Sequence, residues 1–240
     1  MLGDAISFPL EGDSGVKRIA IGGGVLFLSF LIVPIFWILG YAARCGLAGV
    51  RQKPEPPDIT DDIGGQIVDG LKVFVVSFVY GLVPLIVFLI AFFVGLAGAV
   101  QGGNAGAGAG ILGLVLGLVS LLGFLVAGYV IPAGVLRMME ADSIGAAFSL
   151  GAVTDAALDS DYFVAWLIAI GVGIVVGIVN QILAITVVGL ILLPFVAFYQ
   201  QVVTFYLYGR GYGKSTGAER VGGGGSSTGS DPLSGTGGNF

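Results

Sequence analysis

YFVAWLIAIGVGIVVGIVNQILAITVVGLILLPFVAFYQQVVTFYLY, residues 162–208, runs for 47 positions without a charged side chain. As one helix it would be about 70 Å long at 1.5 Å per residue, more than twice the roughly 30 Å hydrocarbon core of a bilayer. It therefore reads as two membrane spans joined by a tight turn. The turn has two candidate positions. At Asn180 and Gln181 it would place both amides outside the spans; near Val188 and Gly189 it would leave them inside the fourth span. Gln200 and Gln201 lie deep in the fifth span under either placement.

Working outward, residues 19–43, 71–100 and 109–136 are three more apolar runs of spanning length. The composition agrees: 56% of the 240 residues are apolar and 10% are charged, against about a quarter charged in a soluble domain. The expected fold is an all-α, polytopic transmembrane bundle of about five spans, occupying residues 1–213. Residues 214–240 read as a disordered Gly/Ser-rich tail on the cytoplasmic side. The acidic leader and the length of the first run argue against a cleaved signal peptide, so that run reads as a retained span.

Charge orients the chain. Arg44, Arg51, Lys53, Lys72, Arg137, Arg210, Lys214 and Arg220 all fall on one side of such a bundle, whereas 101–110 and the turn between spans four and five carry no charge. The positive-inside rule makes the cationic side cytoplasmic. Five spans then put the N-terminus outside, with Lys17 and Arg18 as exceptions; a re-entrant first segment would bring them inside.

A repeat is visible. Gly40, Tyr41 and Gly46 in GYAARCG match Gly128, Tyr129 and Gly134 in GYVIPAG, and in each copy a cation, an amphipathic segment and another span follow. Two spans separate the copies, so the repeat is parallel. The glycines permit close helix approach, and the tyrosines read as interfacial anchors with the ring in lipid and the hydroxyl in water. Ile59, Ile63, Ile67 and Leu71 form one helical stripe opposite Asp61, Asp62, Gln66 and Asp69, an interfacial amphipathic helix; 143–158 is a weaker second one. Pro34, Pro84, Pro132 and Pro194 within the spans suggest kinks. Gly113 with Gly117 and Gly173 with Gly177 read as helix contacts, within one chain or between copies.

Chemistry is sparse. Histidine is absent, which removes the commonest metal ligand and base, and Cys45 is alone. The net charge of −5 argues against nucleic acid. YGRGYGKST, 208–216, ends like a phosphate loop but has Tyr208 where the first glycine belongs and a span where a strand should precede. The aspartates at 58, 61 and 62 and at 155, 159 and 161 read as solvated acidic faces. No catalytic, metal or cofactor residue is expected. Gln200, Gln201, Asn180 and Gln181 are the candidate intramembrane polar contacts, serving either interhelical hydrogen bonds or a solute.

FPLEGDSGVKRIAIGGG (8–24), the following FLSFLIVPIFWILGY, the acidic linker after Pro57 and VDGLK (68–72) resemble a haloarchaeal membrane-protein family known as domain of unknown function 4013. The resemblance covers the chain to about Gly213. It implies a multi-pass protein of an archaeal cell membrane and supplies no activity. The expected role is non-enzymatic: a structural, assembly or lipid-interacting membrane component, its partners lipids, further copies or other membrane proteins. The runner-up is a small permease or channel for a neutral or lipidic solute, with a membrane-embedded enzyme third.

Overall fold

The computed structural model describes residues 2–12, 14–27 and 32–218, and every regular element among them is helical. In chain order these are α1 (Leu2–Ser7), a 3-10 turn (Phe8–Leu10), α2 (Gly15–Phe27), α3 (Ile32–Val50), α4 (Ile63–Gln101), α5 (Gly103–Ala141), a 3-10 segment (Ile144–Phe148), α6 (Leu150–Ala157), α7 (Ser160–Ala184) and α8 (Val187–Ser215). Five of them, α3, α4, α5, α7 and α8, are long and apolar enough to cross a membrane. Most side chains of α4, α5 and α7 point outward although they are Leu, Ile, Val and Phe, the inverse of a soluble fold and the pattern expected where lipid is the solvent.

The 162–208 run folds as a helical hairpin. Its turn falls at Ile185 and Thr186, with the Thr186 hydroxyl accepting from the Gly189 amide. Asn180 and Gln181 are therefore inside α7, near its end. A second hairpin, α4 with α5, turns at Gly102, where φ is +64°. Both turns are uncharged. Each long helix runs about 1.5 Å per residue, so the 39 residues of α4 and of α5 extend about 58 Å and project past a bilayer core.

The first run is not one span. In a straight helix over 19–43, Gly22 and Tyr41 would lie about 28 Å apart, yet both meet Phe198 of α8: a β-carbon on Gly22 would collide with its ring, and Tyr41 stacks on it at 5.8 Å. Likewise Lys17 and Arg18, at the start of α2, act electrostatically on Asp58, which follows α3. So α2 and α3 form an antiparallel hairpin that enters and leaves at one end of the bundle. Pro34 belongs to the first turn of α3, where its missing N–H is harmless, and marks a helix start instead of a mid-span kink. Pro84, Pro132 and Pro194 do lie inside helices.

This geometry corrects the expected placement of the N-terminus at the opposite end. Arg210 near the end of α8 pairs with Asp4 at 3.7 Å, and Phe8 stacks on Tyr206 at 3.8 Å. The two ends of the described chain share one end of the bundle, and Lys17 and Arg18 join the other cations there. Arg220 lies outside the described residues, as does most of the expected tail; α8 continues through Ser215, past the expected boundary at 213.

Backbone-to-backbone approach fixes the helices. A β-carbon at Gly40 would strike the Gln66 carbonyl oxygen and one at Gly70 the Phe36 carbonyl oxygen, so α3 and α4 touch through two glycines; Gly209 meets the Gly46 carbonyl in the same way where α3 crosses α8. Gly113 packs on Gly95, whereas Gly117, Gly128 and Gly177 have open space beside them. Gly70→Ala is expected to weaken the fold by about 3 kcal/mol through overpacking, and Gly117→Ala to leave it unchanged, with thermal unfolding of the two purified variants in detergent as the measurement.

Candidate functional site at the charged end

Ends of three helices converge beside the linker that follows α3. Arg44, Arg51 and Lys53 come from α3 and its exit, Asp69 and Lys72 from α4, and Glu140 and Asp142 from the end of α5; with Glu55 and two methionines they line a cavity of about 550 Å³. Ion pairs hold part of this lining. The Arg44 guanidinium donates to Asp69 at 2.8 Å and to Asp62 at 2.9 Å, and Lys72 bridges Asp69 at 3.4 Å and Asp142 at 3.5 Å. Arg51 and Lys53 make no ion pair among the described residues.

The backbone that presents these two cations is strained. Lys53 N–H donates to the Ala48 carbonyl and Gln52 N–H to the Gly49 carbonyl, closing α3 with a Schellman-type cap in which Gln52, at φ 51°, takes the left-handed position usually given to glycine. Gln52, Asp62 (φ 49°) and Asp142 (φ 46°) are the non-glycine left-handed residues described, and all three stand at helix ends: Asp142 in the cavity lining, Asp62 paired with the lining Arg44, and Gln52 between the lining Arg51 and Lys53. Such strain concentrates at functional sites because the surrounding structure has to hold it.

Gln66 organises the linker. The sequence places it on the wet face of an amphipathic helix, opposite Ile63 and Leu71, but the structure buries it completely and leaves Ile63 and Leu71 exposed. Its amide nitrogen donates to the carbonyls of Ile59 (3.2 Å) and Asp61 (2.6 Å), and its oxygen accepts from the Trp37 indole at 2.7 Å. The reason is packing: Gln66, Gly70, Val73 and Val76 form the face of α4 turned to the bundle, so residues 63–71 are the first turns of α4 and not a separate interfacial helix. Asp62 caps α4 by accepting from Gly65 N–H, and Asp159 caps α7 by accepting from Asp161 N–H. The Arg44 side chain, with Gly65 N–H, holds the Asp62 carboxyl below its ordinary range, and Thr60 does the same for Asp58.

The two motif tyrosines play matching parts. Tyr41, fully buried, donates its hydroxyl to the Pro57 carbonyl at 3.2 Å, and Tyr129 donates to the Ala157 carbonyl. Each ties the linker after its own helix to the bundle, so neither hydroxyl needs water. The copies differ in packing: α3 lies along α4, while α5 meets α7 only near Tyr129, whose ring touches Tyr162 and Trp166. Residues 144–157 form the 3-10 segment and α6, with Ala147, Val153 and Ala156 buried and Asp155 exposed.

The candidate amides lie away from this end. Gln200 and Gln201 are half-buried on α8 beside Thr204, around a cavity of about 400 Å³. Asn180 and Gln181 border another of about 420 Å³, and the Asn180 Oδ1 is buried with no hydrogen-bond partner. Residues 208–215 are helical, so the sequence resembling a phosphate loop forms no loop. Sequence reasoning missed Gln66 and the charged cavity, because no local pattern joins helix ends separated by about 90 residues.

A helical bundle with outward-facing apolar walls and one charged end is a multi-pass membrane protein. Residues 26–185 match the family model described as a protein of unknown function (DUF4013), two thirds of the chain, and the chain belongs to that family. No curated protein and no solved structure matches it.

Gln66→Leu should leave the Ile59 and Asp61 carbonyls and the Trp37 indole without their partner, a loss of about 2–3 kcal/mol. Proteolysis within 51–62 should accelerate while 103–127 stays protected, as mass mapping of limited digests would read.

Proposed function

We propose that this protein is a non-enzymatic component of the cell membrane that engages lipid, with the charged end in the cytoplasm and the cavity there receiving an anionic headgroup. The observation that carries the reading is the pair Arg51 and Lys53, both facing a polar cavity and both free of ion pairs among the described residues. A guanidinium offers a planar fork and an ammonium a point charge, the two usual ways of meeting phosphate oxygens. Of the acidic groups in the lining, Asp69 and Asp142 are engaged with Arg44 and Lys72, and Glu140 with Arg137 at 3.5 Å, so an incoming anion meets mainly the two free cations. The remaining carboxylate, Glu55, faces Gly12. An acidic wet surface suits a high-salt, haloarchaeal setting, which belongs to the same proposal.

Orientation follows from the cations. Lys17, Arg18, Arg44, Arg51, Lys53, Lys72, Arg137, Arg210 and Lys214 cluster at one end, and the positive-inside rule faces that end to the cytoplasm. Reporters fused to both termini should each read cytoplasmic in whole cells; an external N-terminal reporter with an internal C-terminal one would remove the hairpin reading of α2 and α3.

For the ligand, the full chain in nanodiscs should bind phosphatidylglycerol in preference to phosphatidylcholine, and Arg51→Gln with Lys53→Gln should lower that affinity about thirtyfold, roughly 1 kcal/mol per cation. Native mass spectrometry of retained lipid is the measurement. Equal retention of both lipids, or retention unaffected by the double substitution, would refute the headgroup site.

A further inference from the structure

The α8 helix carries a second set of polar groups that the charged end does not use. Ala197, Gln201, Thr204 and Tyr208 follow 4-3-4 spacing and share one face, with Gln200 and Phe205 beside them. This is the face α8 has left after Val202, Val203 and Tyr206 pack toward α3 and α1 and Gly211 packs on α7. Its limits are visible: Gln200 Nε2 lies 3.5 Å from where a β-carbon of Gly173 on α7 would be, and Phe205 and Tyr208 join core clusters shared with Ile131 and Tyr129 of α5. Its lining comes from α8 alone, so the recess is a shallow groove on that helix, open sideways toward lipid.

Depth decides the chemistry. Gln200 and Gln201 are about 20 Å along α8 from its uncharged start, inside the hydrocarbon, where an unpaired amide is costly. Neither amide has a hydrogen-bond partner among the described residues. The lining holds no ionisable side chain except the Tyr208 phenol, so it offers nothing to a charged ligand. It does offer donors and acceptors in a mainly apolar, open groove of about 400 Å³. The adjoining cavity shares Ala197 and adds the partnerless Asn180 Oδ1.

We infer that this recess binds, from within the bilayer, an uncharged amphiphile whose hydroxyl or carbonyl group hydrogen-bonds Gln200, Gln201 and Thr204. The geometry is that of a lateral site: the groove faces sideways from α8, the polar group meets the α8 amides, and the chains remain in lipid. Nothing in it depends on the headgroup cavity, which sits at the charged end.

The test uses the full chain in phosphatidylcholine nanodiscs with two photoreactive probes, a diazirine-bearing dioleoylglycerol and a diazirine-bearing alkane of equal chain length. The diacylglycerol should label peptides of α8 and α7 at least fivefold more than the alkane, and excess unlabelled dioleoylglycerol should compete. Gln200→Leu with Gln201→Leu should reduce that labelling about tenfold; Thr204→Val, which keeps volume and shape, should reduce it about threefold in a chain that still folds. Equal labelling by both probes, labelling indifferent to Thr204→Val, or recovery of α8-to-α8 cross-linked dimers in place of labelled monomer would each overturn the inference. Phosphatidylglycerol retention at Arg51 and Lys53 is read separately and does not decide this outcome.

Discussion

The structure depends on how closely backbone can approach backbone around α3. Lipid gives apolar helices no reason to prefer one another over acyl chains, so association rests on dispersion and on hydrogen bonds that close approach permits. Gly40 against Gln66, Gly70 against Phe36, and Gly46 against Gly209 are among the places where two helix backbones touch with no β-carbon between them. Through these contacts α3, the shortest of the five candidate spans, becomes the element against which α4 and α8 are set.

Hydrogen bonding then completes what packing begins. Gln66 holds the α3–α4 linker from below, Tyr41 holds it from the side, and Tyr129 does for the α5–α6 connection what Tyr41 does for the first. In mid-bilayer, Ser120 donates to the Pro84 carbonyl at 2.9 Å, a polar link between α5 and α4 where water cannot serve. The first three tie the linkers to the bundle through their backbone carbonyls. The linkers are therefore fixed parts of the charged end, and the cavity they border has a defined lining.

The long runs at 71–100, 109–136 and 162–208 were readable as α4, α5 and the α7–α8 hairpin because spanning length and lack of charge are local properties. The first run misled for a matching reason. Hydropathy cannot distinguish one 25-residue helix from two short ones folded together, and what holds α2 is Phe195 and Phe198, far along the chain, seated against Gly23 and Gly22. Gln66 was placed on the wet face by its polarity; only the Gly40–Gly70 contact turns that face inward. For Gln200 and Gln201 position along the chain sets depth in the membrane, while the face of α8 left open beside them depends on how the other helices pack on it.

The sequence by itself determined that this protein is an all-helical membrane bundle, which residues can lie in hydrocarbon, and that charge gathers at one end, since each follows from the transfer free energy of side chains counted along the chain. The tertiary structure alone decided that the first run doubles back, that both ends of the described chain share the charged end, and that Arg51 and Lys53 face a cavity. Those outcomes rest on contacts between residues distant in sequence, where the presence or absence of one β-carbon sets which helices meet.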